Sequence, residues 1–501
     1  DLRCMISGVR KNSPAWQAGL RKGDEILTVN GETPYSRVAA YGYLNGPGTR
    51  TVTYRSSQRV LEATWQNTSD GSCGIAMEYD FDPNRADYMK KALSILLAMG
   101  MTVGMVAGCG DTADNSSAAA STEAGTDGTQ AAASAADIKV GVIYIGDENE
   151  GYTAAHMAGI DEMAANLGLS DDQIIEKTTI PEDEKAYDAA VDLAEQGCDI
   201  IFATSFGHET YILQAAQEYP DIQFCHATGY QAASSGLSNM HNYFDAIYEA
   251  RYVSGVVAGM KLNEMIENGD ITADQAKIGY VGAFPYAEVI SGFTSFYLGA
   301  KSVCESVTME VQYTNSWADM TAEGEVANQL IADNCVLISQ HADTTGAPSA
   351  CETAGVPCVG YNVDMTSVAP DAALTSPTNN WGVYYTYAVQ CVLDGKAIDT
   401  DWCKGFSEDA VRITPVNEAV AAEGTDAKVE EVEAALKDGS LHVFDTSTFT
   451  VNGSSLEDLI AEGGDYAKYA DYVSDGYYHE SELASAPSFD IIIDGITSQA
   501  N

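Results

Sequence analysis

Basic side chains are scarce: 25 Lys plus Arg stand against 73 Asp plus Glu in 501 residues, a formal net charge of -48. Such a surface repels nucleic-acid phosphates and anionic lipid headgroups at long range, which sets both aside as main partners. No two cysteines have the C-x-x-C spacing, and none of the seven histidines stands at metal-ligand spacing from a cysteine. No metal and no cofactor are therefore expected. Asp147, Asn149 and Gly151 begin like a calcium loop, but position twelve is Ala158 rather than Glu. No apolar run reaches the roughly 20 residues that span a bilayer as a helix. What is present, 45% hydrophobic and 20% charged residues, suffices for two or three domains with sizeable cores.

The charge is unevenly placed. Residues 1–91 carry 12 basic and 10 acidic side chains, and residues 92–501 carry 13 and 63. Between the two halves, Met89-Lys90-Lys91 precedes ALSILLAMGMTVGMVAG and then Cys109. Two lysines, a short uncharged run and small residues before a cysteine read as a secretory signal over 89–109. VAGC resembles the lipobox of bacterial lipoproteins, which implies cleavage before Cys109 and lipid attachment to its sulfur; a short uncleaved signal anchor is the alternative. Residues 110–137, rich in Ala, Ser, Thr, Gly and Asp, cannot bury enough surface to offset their ordering entropy and read as a flexible tether.

Ahead of the signal, VRKNSPAWQAGLRKGDEILTVNGETP is similar to the PDZ domains of bacterial proteases. The resemblance implies a short helix within Ala15 to Leu20 and a strand approached and formed by Asp24 to Asn30. Because the peptide-carboxylate loop before the first strand is missing, residues 1–70 are expected to be a truncated PDZ-like segment. An upstream reading frame joined to a lipoprotein beginning at Met89 is the expected origin.

From Lys139 onward, short apolar runs alternate with longer amphipathic stretches. KVGVIYIG, DIIFATS, IQFCHATG, KIGYVGAF, MEVQYTN, CVLISQH and PCVGYN each fit a buried strand. Helical segments between them imply right-handed crossovers and parallel sheets covered on both faces. The pattern predicts an α/β body over 138–480 with two Rossmann-like lobes. The first takes about 138–245 plus 363–390, and the second takes 276–362 plus a C-terminal extension. A ligand then belongs in the loops after the strand ends. Those loops carry Tyr152, Ser205, Phe206, Phe284, Trp317, His341, Asp343, Asn362, Asp364 and Trp381, and no Lys or Arg. Aromatic faces with carboxylates and amides suit a flat hydrogen-bonding ligand, whereas a phosphate asks for cations. Taken singly, each has a plainer reading: a Trp after a strand packs lobes, and Asp343 or Asp364 caps a helix.

The order of motifs resembles the basic membrane protein (BMP) family of ABC-transporter substrate-binding lipoproteins. VGVIYIGDENEGYT, TSFGHE, YPDIQFCHATGY, YEARYVSGVVAGM, KIGYVGAFPYAEVISG, TNSWAD, QHADT, GYNVDM and NNWGVYY carry the likeness over about 138–395. It implies a type I periplasmic-binding fold closing by hinge crossovers over a purine base or nucleoside. It further implies Tyr152, Phe206 and Trp317 as walls, and Asp343, Asn362 and Asp364 at the polar edge, with Trp381 as a further ligand-binding candidate. Permease and ATPase subunits are the implied partners and the extracytoplasmic membrane face the implied location. Tyr152 where relatives often have Trp, His208 where Tyr is common and Asn362 in place of an Asp leave base versus nucleoside open.

Other readings are a receptor for a sugar or amino acid, a ligand-presenting sensor, or a serine hydrolase built on Ser205. The last lacks one glycine of the nucleophile elbow, and His442 and His479 have no strand-end context. No catalytic residue is expected. Eight cysteines remain beside Cys4, Cys73 and Cys109, and buried free thiols are expected for most of them. YAKYADYVSDGYYHESEL near the C-terminus is read as structural.

Overall fold

The computed structural model describes residues 2–9, 14–18, 20, 25–29, 49–56, 59–66, 75–81 and 137–499. The signal over 89–109 with Cys109, and the tether up to residue 136, lie outside the described residues. Two compact units divide the chain, residues 1–123 and 124–501.

In the first unit, five antiparallel strands form one sheet in the order Arg59–Gln66, Thr49–Ser56, Glu25–Val29, Leu2–Val9 and Ile75–Phe81. The helix Pro14–Gln17 and the strand Glu25–Val29 stand where the S-P-A and G-D-E-I-L-T-V-N motifs put them. Ala15, Leu20, Ile26, Val29 and Val52 are buried together. In the strand Thr49–Ser56, buried Val52 and Tyr54 alternate with Thr51 and Thr53, the period of a strand buried on one face.

The second unit holds two parallel sheets. One runs in the order Asp401–Trp402, Met240–Tyr243, Gln223–Ala227, Ile200–Ala203, Val140–Ile143 and Ile174–Lys177. The other runs Cys358–Val359, Leu337–Gln340, Lys277–Gly282, Thr308–Tyr313 and Ile496–Gln499. All seven predicted apolar runs are strands of these sheets. Three others are too polar to be legible: Ile174–Lys177, Met240–Tyr243 and Asp401–Trp402. The body continues beyond the expected limit at residue 480, because Ile496–Gln499 pairs with Thr308–Tyr313 and closes the second sheet's edge.

Crossovers connect the lobes. After Tyr243 the chain enters the helix Ile247–Asn268 and passes to the second sheet. It returns after Val359 through Pro377–Asn379, which pairs antiparallel with Val411–Ile413. The region 363–390 expected in the first lobe thus contains part of this crossover ladder and the helix Gly382–Asp394, which packs on Gly151–Leu167. The helix Ile247–Asn268 is buried on nearly every face of its first half, and it meets Ala287–Val303 through Gly255, Gly259 and Gly299.

Eight cysteines among the described residues are unpaired, seven of them buried. Burial pushes the Cys225 and Cys335 thiols up to about 12, so neither is a thiolate at neutral pH. No helix among the described residues is long and apolar enough to cross a membrane.

Candidate ligand-binding site

Loops after seven parallel strands converge on one cavity of about 120 Å³. At roughly 10–15 Å³ per water-sized centre it holds on the order of ten heavy atoms. From the first sheet it takes Glu150, Tyr152, Ser205, Phe206 and Thr228, and from the second Glu288, Trp317, His341, Asp343 and Tyr361. This is the carboxyl edge of both sheets, where strands end and helix N-termini begin. No Lys or Arg lines it.

Each wall is held by its own chain. Glu150 caps the helix Gly151–Leu167, accepting from the Tyr152 and Thr153 amides at 2.6 and 2.9 Å. That capping swings Tyr152 inward, and its hydroxyl donates to the Thr204 carbonyl at 2.6 Å. Trp317 lies 5.2 Å edge-on from Phe284, which in turn stacks on Tyr286 at 5.1 Å. Phe206, 43% exposed, approaches Tyr286 from the other lobe at 6.1 Å. Another tie joins the lobes where the Gly151 amide donates to the Asp343 carbonyl at 3.1 Å.

The polar edge is acidic and dry. Asn362 donates through Nδ2 to the Asp343 carboxylate at 2.8 Å, with Asn362 itself in the left-handed region at φ 64°. Burial raises the Asp343 carboxyl well above its usual range, and the nearby Glu150, Glu323 and Glu288 charges add to this. Burial also lifts Glu288 to about 7, opposed by the Arg251 guanidinium. His341 contacts the Glu288 carboxyl at 3.3 Å. Burial, and then Arg251, hold its imidazole far below the ordinary histidine range, so the contact is a hydrogen bond of a neutral ring and not an ion pair. Arg251 lies behind this edge, fully buried, with its guanidinium 4.0 Å over the Tyr361 ring and donating to Tyr280 Oη at 2.6 Å.

Of the residues expected to bind ligand, Tyr152, Phe206, Trp317 and Asp343 line the cavity, and Asn362 stands one hydrogen bond behind. Two do not reach it. Asp364 is exposed and accepts from the Thr366 amide at 2.8 Å within a turn, where no helix follows for it to cap. Trp381 is fully buried, stacked on His156 at 4.1 Å, because it follows a crossover strand and not a sheet end. Glu150, Glu288, Thr228 and Tyr361 were not singled out in the sequence. A usable signal existed for Glu288, the one carboxylate in the helix Ala287–Val303, placed in its first turn. Ser205 donates through its hydroxyl to Glu182 Oε1 at 2.6 Å, His226 Nε2 meets the Ser205 backbone carbonyl at 2.7 Å, and the hydrogen bonds of His479 go to Ser474 and Glu482.

The model of the Bmp family, described as ABC transporter substrate-binding protein PnrA-like, matches residues 138–441. The chain belongs to this family. A purine-binding protein of Brucella abortus is 34% identical over 311 residues, which is 61% of this chain and 83% of that protein. A putative ABC transporter glucose-binding protein of Haloferax volcanii is 36% identical over 202 residues, 40% of this chain and 48% of that one. An ABC transporter solute-binding protein of Aeropyrum pernix shares the fold, with TM-score 0.51 at 17% identity over 65% of this chain and 96% of that one. A PDZ domain model matches residues 5–55. This Bmp-family chain is thus an ABC transporter substrate-binding protein preceded by a PDZ-like segment.

The buried carboxyls make stability depend on pH. Glu249, Glu288 and Glu323 are each lifted from 4.5 to about 7 by burial. Between those values the folded chain holds protons that the unfolded chain has released, so stability falls as pH rises. Buried His208 and His241, pulled from 6.5 down to about 4, act in the opposite direction but only below 6.5. From pH 6.5 to 8 the carboxyls dominate, with a loss on the order of 2 kcal/mol for the three together. Thermal unfolding should therefore show a lower melting temperature at pH 8 than at 6.5. An equal or higher value at pH 8 contradicts the assignment.

Proposed function

We propose that this chain captures a purine base or purine nucleoside by closure of its two lobes and presents it to the permease and ATPase subunits of an ABC importer. It performs no bond chemistry in this reading. The observation that carries it is the lining of the cavity: aromatic faces from both lobes around three carboxyls, and no cation. Aromatic walls suit a flat ring, carboxylates accept from its N–H groups, and the absence of Lys or Arg disfavours a phosphate-bearing nucleotide. The Brucella relative's name agrees with this. Tyr152, Phe206 and Trp317 would wall the ring, while Glu150, Glu288 and Asp343 would meet its donors and Asn362 would orient Asp343. Lipid attachment at Cys109 would hold the protein at the extracytoplasmic face, with the acidic body repelled from anionic headgroups.

Calorimetry with the full chain, freed of carried-over ligand by unfolding and refolding, tests the proposal. The panel holds adenine, guanine, hypoxanthine, xanthine, their nucleosides, glucose, ribose and several amino acids. Purine binding at micromolar or tighter Kd is expected. Binding of a sugar with no purine response would retire it in favour of the reading that the Haloferax relative's name suggests.

A further inference from the structure

The cavity between the lobes is small for a ligand site. Its volume is about 120 Å³, whereas pockets for drug-sized ligands run to roughly 300–1,000 Å³. A purine base has about ten heavy atoms, close to what that space holds, and a ribosyl group would add about nine more. The border that would have to admit those atoms is built of rings. Phe206, 43% exposed, comes from the first lobe and Tyr286, 46% exposed, from the second, with ring centroids 6.1 Å apart. Tyr230 flanks Phe206 at 6.2 Å. Tyr286 is braced, since its ring stacks on Phe284 at 5.1 Å and stands 6.1 Å from Trp317. It directly precedes the helix Ala287–Val303, whose first turn carries Glu288. One short segment therefore puts a carboxyl in the cavity and a ring at its exposed border. The Gly151 amide and the Asp343 carbonyl also join the lobes at 3.1 Å, so widening the cleft would break that bond.

We infer that the cleft takes the free purine base and turns away the nucleoside, with Tyr286 and Phe206 as the pair that sets this limit; the inference rests on the purine reading of the same cavity. Protein interiors are close-packed, so atoms in excess of the space strain the walls or hold the lobes apart. The polar lining points the same way. The Ser205 hydroxyl donates to Glu182 Oε1 and the Tyr152 hydroxyl to the Thr204 carbonyl. Both Glu150 oxygens accept from the amides that open the helix Gly151–Leu167. Of the lining carboxyls, Glu288 and Asp343 are left for a ligand, and both stand on the second-lobe side. Two acceptors on one side serve one edge of a flat ring. A ribose would bring hydroxyls to the opposite end of the ligand, where its neighbours would be the apolar faces of Phe206 and Tyr286. A site rejects a substrate most strongly when added polar groups find no partner there.

The test is competition calorimetry on the full chain, hypoxanthine against inosine and adenine against adenosine, repeated in Tyr286→Ala. Each base is expected to bind roughly 30-fold or more tightly than its nucleoside. In Tyr286→Ala, inosine and adenosine are expected to bind about tenfold more tightly than they do to the unaltered chain. A gain of affinity is not something that misfolding produces. Nucleosides that match or exceed their bases in the unaltered chain overturn the inference while the purine reading stands. Nucleoside affinity that is unchanged or lowered in Tyr286→Ala overturns the role given to Tyr286. A chain that responds to neither bases nor nucleosides removes the purine reading, and this inference with it.

Discussion

Gly255→Ala is expected to destabilise the body by about 3 kcal/mol or more, a large share of the 5–15 kcal/mol typical of a folded domain. A methyl group at Gly255 would fall on the Phe296 carbonyl oxygen, and one at Gly299 would fall on the Tyr252 carbonyl oxygen. The obstacle in both cases is backbone, which cannot swing aside as a side chain can. The helices Ile247–Asn268 and Ala287–Val303 must therefore separate, opening contacts among Val253, Val256, Phe293 and Phe296, all fully buried. Gly324→Ala supplies the contrast. It lies inside the helix Met320–Ala332, and the nearest atom to its added methyl is the Gly346 carbonyl oxygen at 3.5 Å. There the gain in helix propensity, up to about 1 kcal/mol, meets no clash. Urea unfolding of the two variants should move in opposite directions. An unchanged midpoint for Gly255→Ala would mean that the helices are less closely apposed than described.

Trp317→Ala is expected to weaken purine binding by on the order of 2–3 kcal/mol, roughly 30- to 150-fold in Kd. Trp317 comes from the second lobe and is braced edge-on by Phe284, so truncation removes a wall together with the surface that keeps water from the carboxyl edge. Asp343→Asn should act through the polar edge instead. It keeps an acceptor for Asn362 but replaces a buried titratable carboxyl with an amide, and should change which purine is preferred. Asp364→Ala should leave Kd where it was, because that carboxylate is exposed and bonded to its own turn. Equal affinities for wild type and Trp317→Ala would remove the aromatic-wall account. A loss on Asp364→Ala would bring the turn 362–366 into the site in a way the structure does not describe.

Closure and pH meet at the same residues. The Gly151–Asp343 hydrogen bond and the Phe206–Tyr286 approach join the two lobes across the cavity. Glu288 and Asp343 lie on the second-lobe side of this junction. A ligand bearing N–H donors would favour their ionised forms and so stabilise the closed lobes more than an open pair, which is what hinge closure on a ligand requires.

The sequence by itself determined the architecture of the body, because its strands are short continuous apolar runs rich in Val and Ile, separated by amphipathic stretches of helical length, the pattern of parallel sheets covered on both faces. The same local logic located the PDZ-like helix and strand, through Pro14-Ala15 and the G-D-E-I-L-T-V-N run. Four of seven ligand-site candidates also line the cavity, since a residue just past a strand end is carried to the sheet's carboxyl edge by chain geometry alone. The tertiary structure decided the rest. Trp381 and Asp364 follow strands and turns that belong to the crossovers, a distinction invisible in local pattern. Glu150, Glu288 and Tyr361 become site residues only because two sheets face each other, and their carboxyls and hydroxyl lose water only when the lobes meet. Polar strands such as Met240–Tyr243 are strands because their neighbours pair with them, and Ile496–Gln499 closes a sheet whose other members lie more than a hundred residues away. The contacts of Ile496–Gln499 are long-range, and no short window of sequence contains both sides.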